Sequence, residues 1–170
     1  MTEKMGSKMT YSEFREQFSC VESFIQAYGQ LSFKEARAMI DAEKSSPGMR
    51  ACMITKWREA RRKVILRNID VRLPNNGGLN IVFYEFDSEF DGNDFQYKYS
   101  LDSSNADKFI KMLPHIYDEL MADIEEWLIE NIQCEGTGLD LQQKWIQMGL
   151  HGKRVVSEDY PGGIYREEAF

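Results

Sequence analysis

Apolar residues along this chain recur first at the helical period and then at the strand period, and the change falls near residue 64. Phe14, Phe18, Val21, Phe24, Ile25 and Tyr28 share one helical face. Thr10 and Glu13, three positions apart at the head of that run, make a capping-box pair, and Gly29 supplies a stop. Ser32 and Glu35 repeat the pair before a shorter helix bearing Phe33, Ala36, Met39 and Ile40. Pro47 suits the first turn of a third helix. There Met49, Met53, Trp57, Ala60 and Val64 line one stripe, and Arg50, Arg58, Arg61 and Arg62 take the adjoining face. Three helices are predicted over residues 10–62, with the chain turning extended from Lys63.

Beyond that point the period shortens. Ile65, Ile69, Val71 and Leu73 share a strand face, and Pro74-Asn75-Asn76-Gly77-Gly78 is a turn signal. Residues 79–87 are apolar on both faces in their middle, which predicts a central strand. Asp91-Gly92 marks a second turn, after which Phe95, Tyr97, Tyr99 and Leu101 alternate with Gln96, Lys98 and Ser100. A three-stranded antiparallel meander follows. Ser104 and Asp107 open a helix with Phe109, Ile110 and Leu113 facing inward. Pro114 either kinks it or starts another, and the stripe Ile116, Tyr117, Leu120, Met121, Ile124, Trp127, Leu128 and Ile132 continues the pattern. The expectation is one long Pro-kinked amphipathic helix packed on the sheet. Gly136-Thr137-Gly138 ends it, and a short helix over 139–148 stops at Gly149. The fold class is α+β: about three N-terminal helices, the meander, the kinked helix and an extended C-terminal tail. Residues 1–9 read as a flexible leader, 10–150 as a single domain, and 151–170 as a tail anchored by Tyr160, Tyr165 and Phe170.

Composition changes this picture little. With 170 residues, 42 % apolar and 12 % aromatic, the chain has the makings of a folded core. No apolar run approaches the roughly 18 residues of a membrane span. The charged start lacks a signal-peptide core, and Cys20, Cys52 and Cys134 are too few and too scattered for a disulfide framework or a thiolate zinc site. A cytoplasmic address without membrane attachment is expected.

Charge changes it more. The net charge is −7, yet residues 50–72 carry eight Lys/Arg against Glu59 and Asp70, whereas residues 85–135 carry fourteen Asp/Glu against Lys98, Lys108 and Lys111. Glu119, Asp123, Glu126 and Glu130 recur at i, i+4, i+7 and i+11. With Asp118 and Glu125 they place about one charge per 3 Å of helix axis, close to the one per about 3.4 Å of a single DNA strand. That density suits a nucleic-acid mimic, a surface that occupies a basic groove. Neutralisation by Arg58, Arg61, Arg62 or Arg67 of the same chain is the competing reading.

Other chemistry is sparse. Asp87, Glu89, Asp91 and Gly92 match the first half of a calcium loop, but Lys98 stands where the bidentate carboxylate is required. A solvated acidic hairpin tip explains them without calcium, and an acidic partner surface can include Asp87, Glu89 and Asp91. His115 has Asp118 and Glu119 within a turn but no further ligand placed by spacing. Cys52, beside Met53, reads as a packed thiol. Nucleophile-elbow, phosphate-loop and dinucleotide motifs are absent, so no metal or cofactor is expected.

The function expected is a non-catalytic inhibitor or regulator that docks an acidic surface on a basic protein, a class that immunity proteins and phage antagonists exemplify by analogy alone. The alternative is nucleic-acid binding through the 50–67 helix, using Arg50, Lys56, Arg58, Arg61 and Arg62. The long 41–48 connection and the acidic total charge oppose it. An enzyme built on His115 and nearby carboxylates ranks third.

Overall fold

The computed structural model describes residues 9–85, 94–158 and 163–170, and divides at Arg67/Asn68 into two compact units. The first unit is helical: α1 (Tyr11–Gln17), α2 (Val21–Gln30), α3 (Phe33–Ala42) and α4 (Pro47–Val64). Both capping boxes form. Thr10 Oγ1 accepts from the Glu13 amide at 3.1 Å, and Ser32 Oγ accepts from the Glu35 amide at 3.1 Å. Ser46 caps α4 ahead of Pro47.

The long first helix of the sequence reading is two helices, broken by extended backbone at Cys20. A straight helix would hold Phe14 and Phe24 about 15 Å apart along its axis. The break folds the chain back, so that Phe14 meets Phe18, Phe24 and Tyr28 at ring distances of 4.6, 5.5 and 5.7 Å. Gly29 lies inside α2 rather than ending it. A Cβ there would stand 2.7 Å from the Ala60 carbonyl oxygen, so its role is the close approach of α2 to α4. Helix α4 also runs to Val64, two residues past the expected turn to extended chain.

Among the described residues the second unit is an antiparallel sheet with three helices: β1 (Ile69–Arg72), β2 (Leu79–Glu85), β3 (Phe95–Leu101), α5 (Ser103–Met112), α6 (Leu120–Asn131), α7 (Leu139–Gln147), β4 (Lys153–Glu158) and β5 (Gly163–Ala169). The sheet order is β1-β2-β3-β4-β5. The expected meander is present, but among the described residues the sheet has five strands, because the segment read as a tail adds two antiparallel strands beside β3. That segment has the right alternation: Arg154 and Val156 are buried and fall opposite Tyr99 and Tyr97. Arg154 tolerates burial because Nε donates to the Tyr99 hydroxyl at 3.0 Å and its guanidinium lies over the Tyr97 and Tyr99 rings.

One sheet face carries Leu79, Ile81, Phe83, Tyr99 and Leu101, all buried. Phe109 of α5 joins Trp127 of α6 and Trp145 of α7 at 4.8 and 5.6 Å, and Phe170 stacks on Trp145. Gly138, with φ +76, begins α7 against the sheet; a Cβ there would lie 2.6 Å from the Phe83 ring. The kinked helix of the sequence reading is corrected to two separate helices. Leu113 adopts extended backbone before Pro114, as steric conflict with the proline ring demands, and residues 113–119 leave the helical path.

Candidate functional site

Helix α6 carries the acidic stripe, and its four members meet different fates. Glu119 stands at its N-cap position, exposed, and Glu130 is exposed near its end. Asp123 and Glu126 are only 3 % and 4 % exposed. Asp123 Oδ1 accepts from the backbone amides of Ile116 and Tyr117 at 3.0 and 2.9 Å, so this carboxylate ties the 113–119 link to α6. Glu126 accepts from the Tyr117 hydroxyl at 2.9 Å. Half of the stripe is therefore internal to the fold of its unit, and the exposed acids of α6 are its ends. Asp118, in the link, takes φ +53, a conformation that Asp adopts more readily than most residues. Asp87, Glu89 and Asp91 lie outside the described residues.

His115 is 64 % exposed, and its Nδ1 stands 3.9 Å from Asp123 Oδ2, too far for a hydrogen bond. A small 280 Å³ pocket adjoins them, walled by Ile110, Leu113 and Leu120. Among the described residues, no group of three or more His, Cys, Asp and Glu side chains is arranged to hold a metal ion.

The basic helix also divides. Arg61 is 5 % exposed, donates through Nη1 to the Leu31 carbonyl and lies over Trp57 at 5.0 Å. It is a structural residue of the helical unit. Trp57 itself is fully buried, and its indole N–H donates to the Leu31 carbonyl. Lys56 and Arg62 are exposed; Arg50 and Arg58 are half-buried. Cys52 is exposed, not packed.

A feature that the sequence did not signal is an open hollow of about 720 Å³ over the sheet face opposite the Ile81–Tyr99 core. Its floor includes Asn80, Lys98, Ser100 and Val155, and its rim includes Asn105 and His151. Strands β2 and β3 read correctly as strands, but the hollow needs β4 and β5 beside them. With 151–170 read as a tail, nothing marked these polar positions as one surface.

No helix among the described residues is long and apolar enough to cross a membrane. No family model matches the chain, and neither the curated proteins nor the solved structures contain a significant match.

The charge division noted in the sequence follows the structural one. Residues 1–67 carry thirteen Lys/Arg and eight Asp/Glu, a net +5, and residues 68–170 carry eight and twenty, a net −12.

Proposed function

We propose that this protein is a non-catalytic inhibitor or regulator whose 68–170 unit docks onto a basic partner. What supports the reading is the coincidence of charge with architecture: the −12 belongs to one compact unit and is not an average over the chain. A body with that density of like charge attracts basic surfaces over about a Debye length, roughly 8–10 Å at moderate salt, and speeds their encounter. The docking acids are the exposed ones, among them Asp107, Glu119 and Glu130. Asp123 and Glu126 serve the fold, which narrows the surface first read from the stripe. A partner with a basic nucleic-acid groove suits this surface best.

The test is affinity capture from the native host at low and high salt, with the wild-type chain and with a double variant, Asp107→Lys and Glu130→Lys. A basic protein recovered at low salt, released by high salt and lost with the folded double variant supports the reading. Recovery of nucleic acid in its place, retained by the double variant, would assign binding to the +5 helical unit and overturn it.

A further inference from the structure

We propose that the hollow on the outer face of the 68–170 sheet binds a small organic anion, a carboxylate or phosphate carried on an apolar body. This site is independent of the docking reading and follows from strand register. Asn80 of β2 pairs with Ser100 of β3, which pairs with Lys153 of β4, so three polar side chains stand side by side. In the next row on the same face, Lys98 is flanked by Val82 of β2 and Val155 of β4. Neighbouring strands lie about 4.8 Å apart, so Lys98, Asn80 and Ser100 converge within reach of one head group.

The other charges in the hollow are committed. Lys153 Nζ pairs with Glu167 at 2.5 Å. Asp102 caps α5, accepting from the Asn105 amide and side chain at 2.8 and 3.0 Å, and these bonds hold its carboxyl below the ordinary range. Lys98 differs. It is half-buried between two valines, and among the described residues no hydrogen bond or ion pair engages it. A bond between this ammonium and an anion is charge-assisted, about twice as strong as a neutral one, and the apolar flanks seat the lysine stem beneath it.

The remaining surface sets the rest of the ligand. Val155, Ala169 and Phe170 give the hollow an apolar side, and Phe170 is steadied by stacking on Trp145. At about 720 Å³ the space falls within the range of small-molecule sites, roughly 300–1,000 Å³. The rim is fixed where the His151 amide donates to Asn105 Oδ1 at 3.0 Å. An anion with an aromatic or branched aliphatic body meets both halves of this surface.

The experiment titrates the ¹⁵N-labelled full chain with benzoate, phenyl phosphate and the neutral benzyl alcohol. Saturable shifts at Asn80, Lys98 and Ser100 with at least one anion, and affinity about tenfold weaker for benzyl alcohol, are expected. The tighter of the two anions identifies the head group. Lys98→Met should lose about tenfold in anion affinity while Lys98→Arg keeps it. Asn80→Ala, expected to weaken the anion severalfold, serves where Lys98→Met does not fold. Benzyl alcohol binding as well as the anions, unchanged affinity in these variants, or no saturable shift at those residues overturns the proposal.

Discussion

Asp123 shows how a single residue changes meaning once its surroundings are known. In sequence it is one carboxylate of a like-charged row; in the fold it satisfies two backbone amides of a link that has left the helix. Asp123→Ala leaves both donors without their acceptor, and we expect a loss of about 2–4 kcal/mol. Asp123→Asn keeps an oxygen in place and should cost less than half of that. Denaturant melts of both variants decide it, and equal losses would remove the amide-acceptor role. Tyr28 carries a second residue-scale prediction. Burial, and then the neighbouring Tyr11, raise its phenol well above the ordinary range, and its hydroxyl donates to the Met53 carbonyl at 3.2 Å. The folded state therefore holds this proton more tightly than the unfolded chain does. The resulting stability is intact below about pH 10, the unfolded value, and is lost as pH rises from there toward the folded value. Stability measured at pH 8 and above pH 10 should fall less in Tyr28→Phe than in the wild type; an identical fall in both would assign the alkaline loss to other groups.

At the scale of elements, the informative case is the β4–β5 pair. Its sequence has the correct alternation at Arg154 and Val156, but a buried arginine interrupts the apolar signal, and Pro161-Gly162-Gly163 suggests a loose end. The rings of Tyr97 and Tyr99, which accept the guanidinium, lie more than fifty residues earlier. Hydrogen exchange tests this placement. Amides within 153–158 that bond to β3 should be protected to a degree comparable with those of β2, because both lie inside the sheet. Exchange there as fast as in an unstructured peptide would return the segment to a tail. The break between α1 and α2 teaches the same lesson, since the period runs through it unbroken and only the meeting of Phe14 with Phe24 and Tyr28 explains it.

For the whole molecule, division at Arg67/Asn68 separates two cores. One is built on Phe14, Tyr28, Met39, Ile40 and Trp57, the other on Ile81, Tyr99, Phe109, Ile124 and Trp145. Because the second has its own sheet and its own aromatic centre, residues 68–170 expressed alone should fold cooperatively. Far-ultraviolet dichroism and a single denaturant transition would report it. A fragment without a transition would mean that the helical half is required for the acidic half to fold. The isolated fragment, at −12, should also bind a cation-bearing matrix more tightly than the full chain at −7, and this difference should vanish in high salt.

What the sequence determined by itself was local. Caps, turns and periods placed both capping boxes, the Pro47 helix start, the 74–78 turn, the three meander strands and the 139–148 helix close to where they lie. Those signals work because each depends on residues three or four apart, or on alternation within one strand. The charge division was legible for the same reason, as a count along the chain. Tertiary structure alone decided that two helices replace one at Cys20 and again at Pro114, that Gly29 and Gly138 admit a neighbour's backbone or ring, and that a charged C-terminal segment completes the sheet. It also decided which charges face water. Asp123, Glu126 and Arg61 are buried because their partners, the 116–117 amides, the Tyr117 hydroxyl and the Leu31 carbonyl with Trp57, reach them through folding. Helical spacing names the residues that share a face but not what covers it, and that cover separates a structural carboxylate from one able to dock.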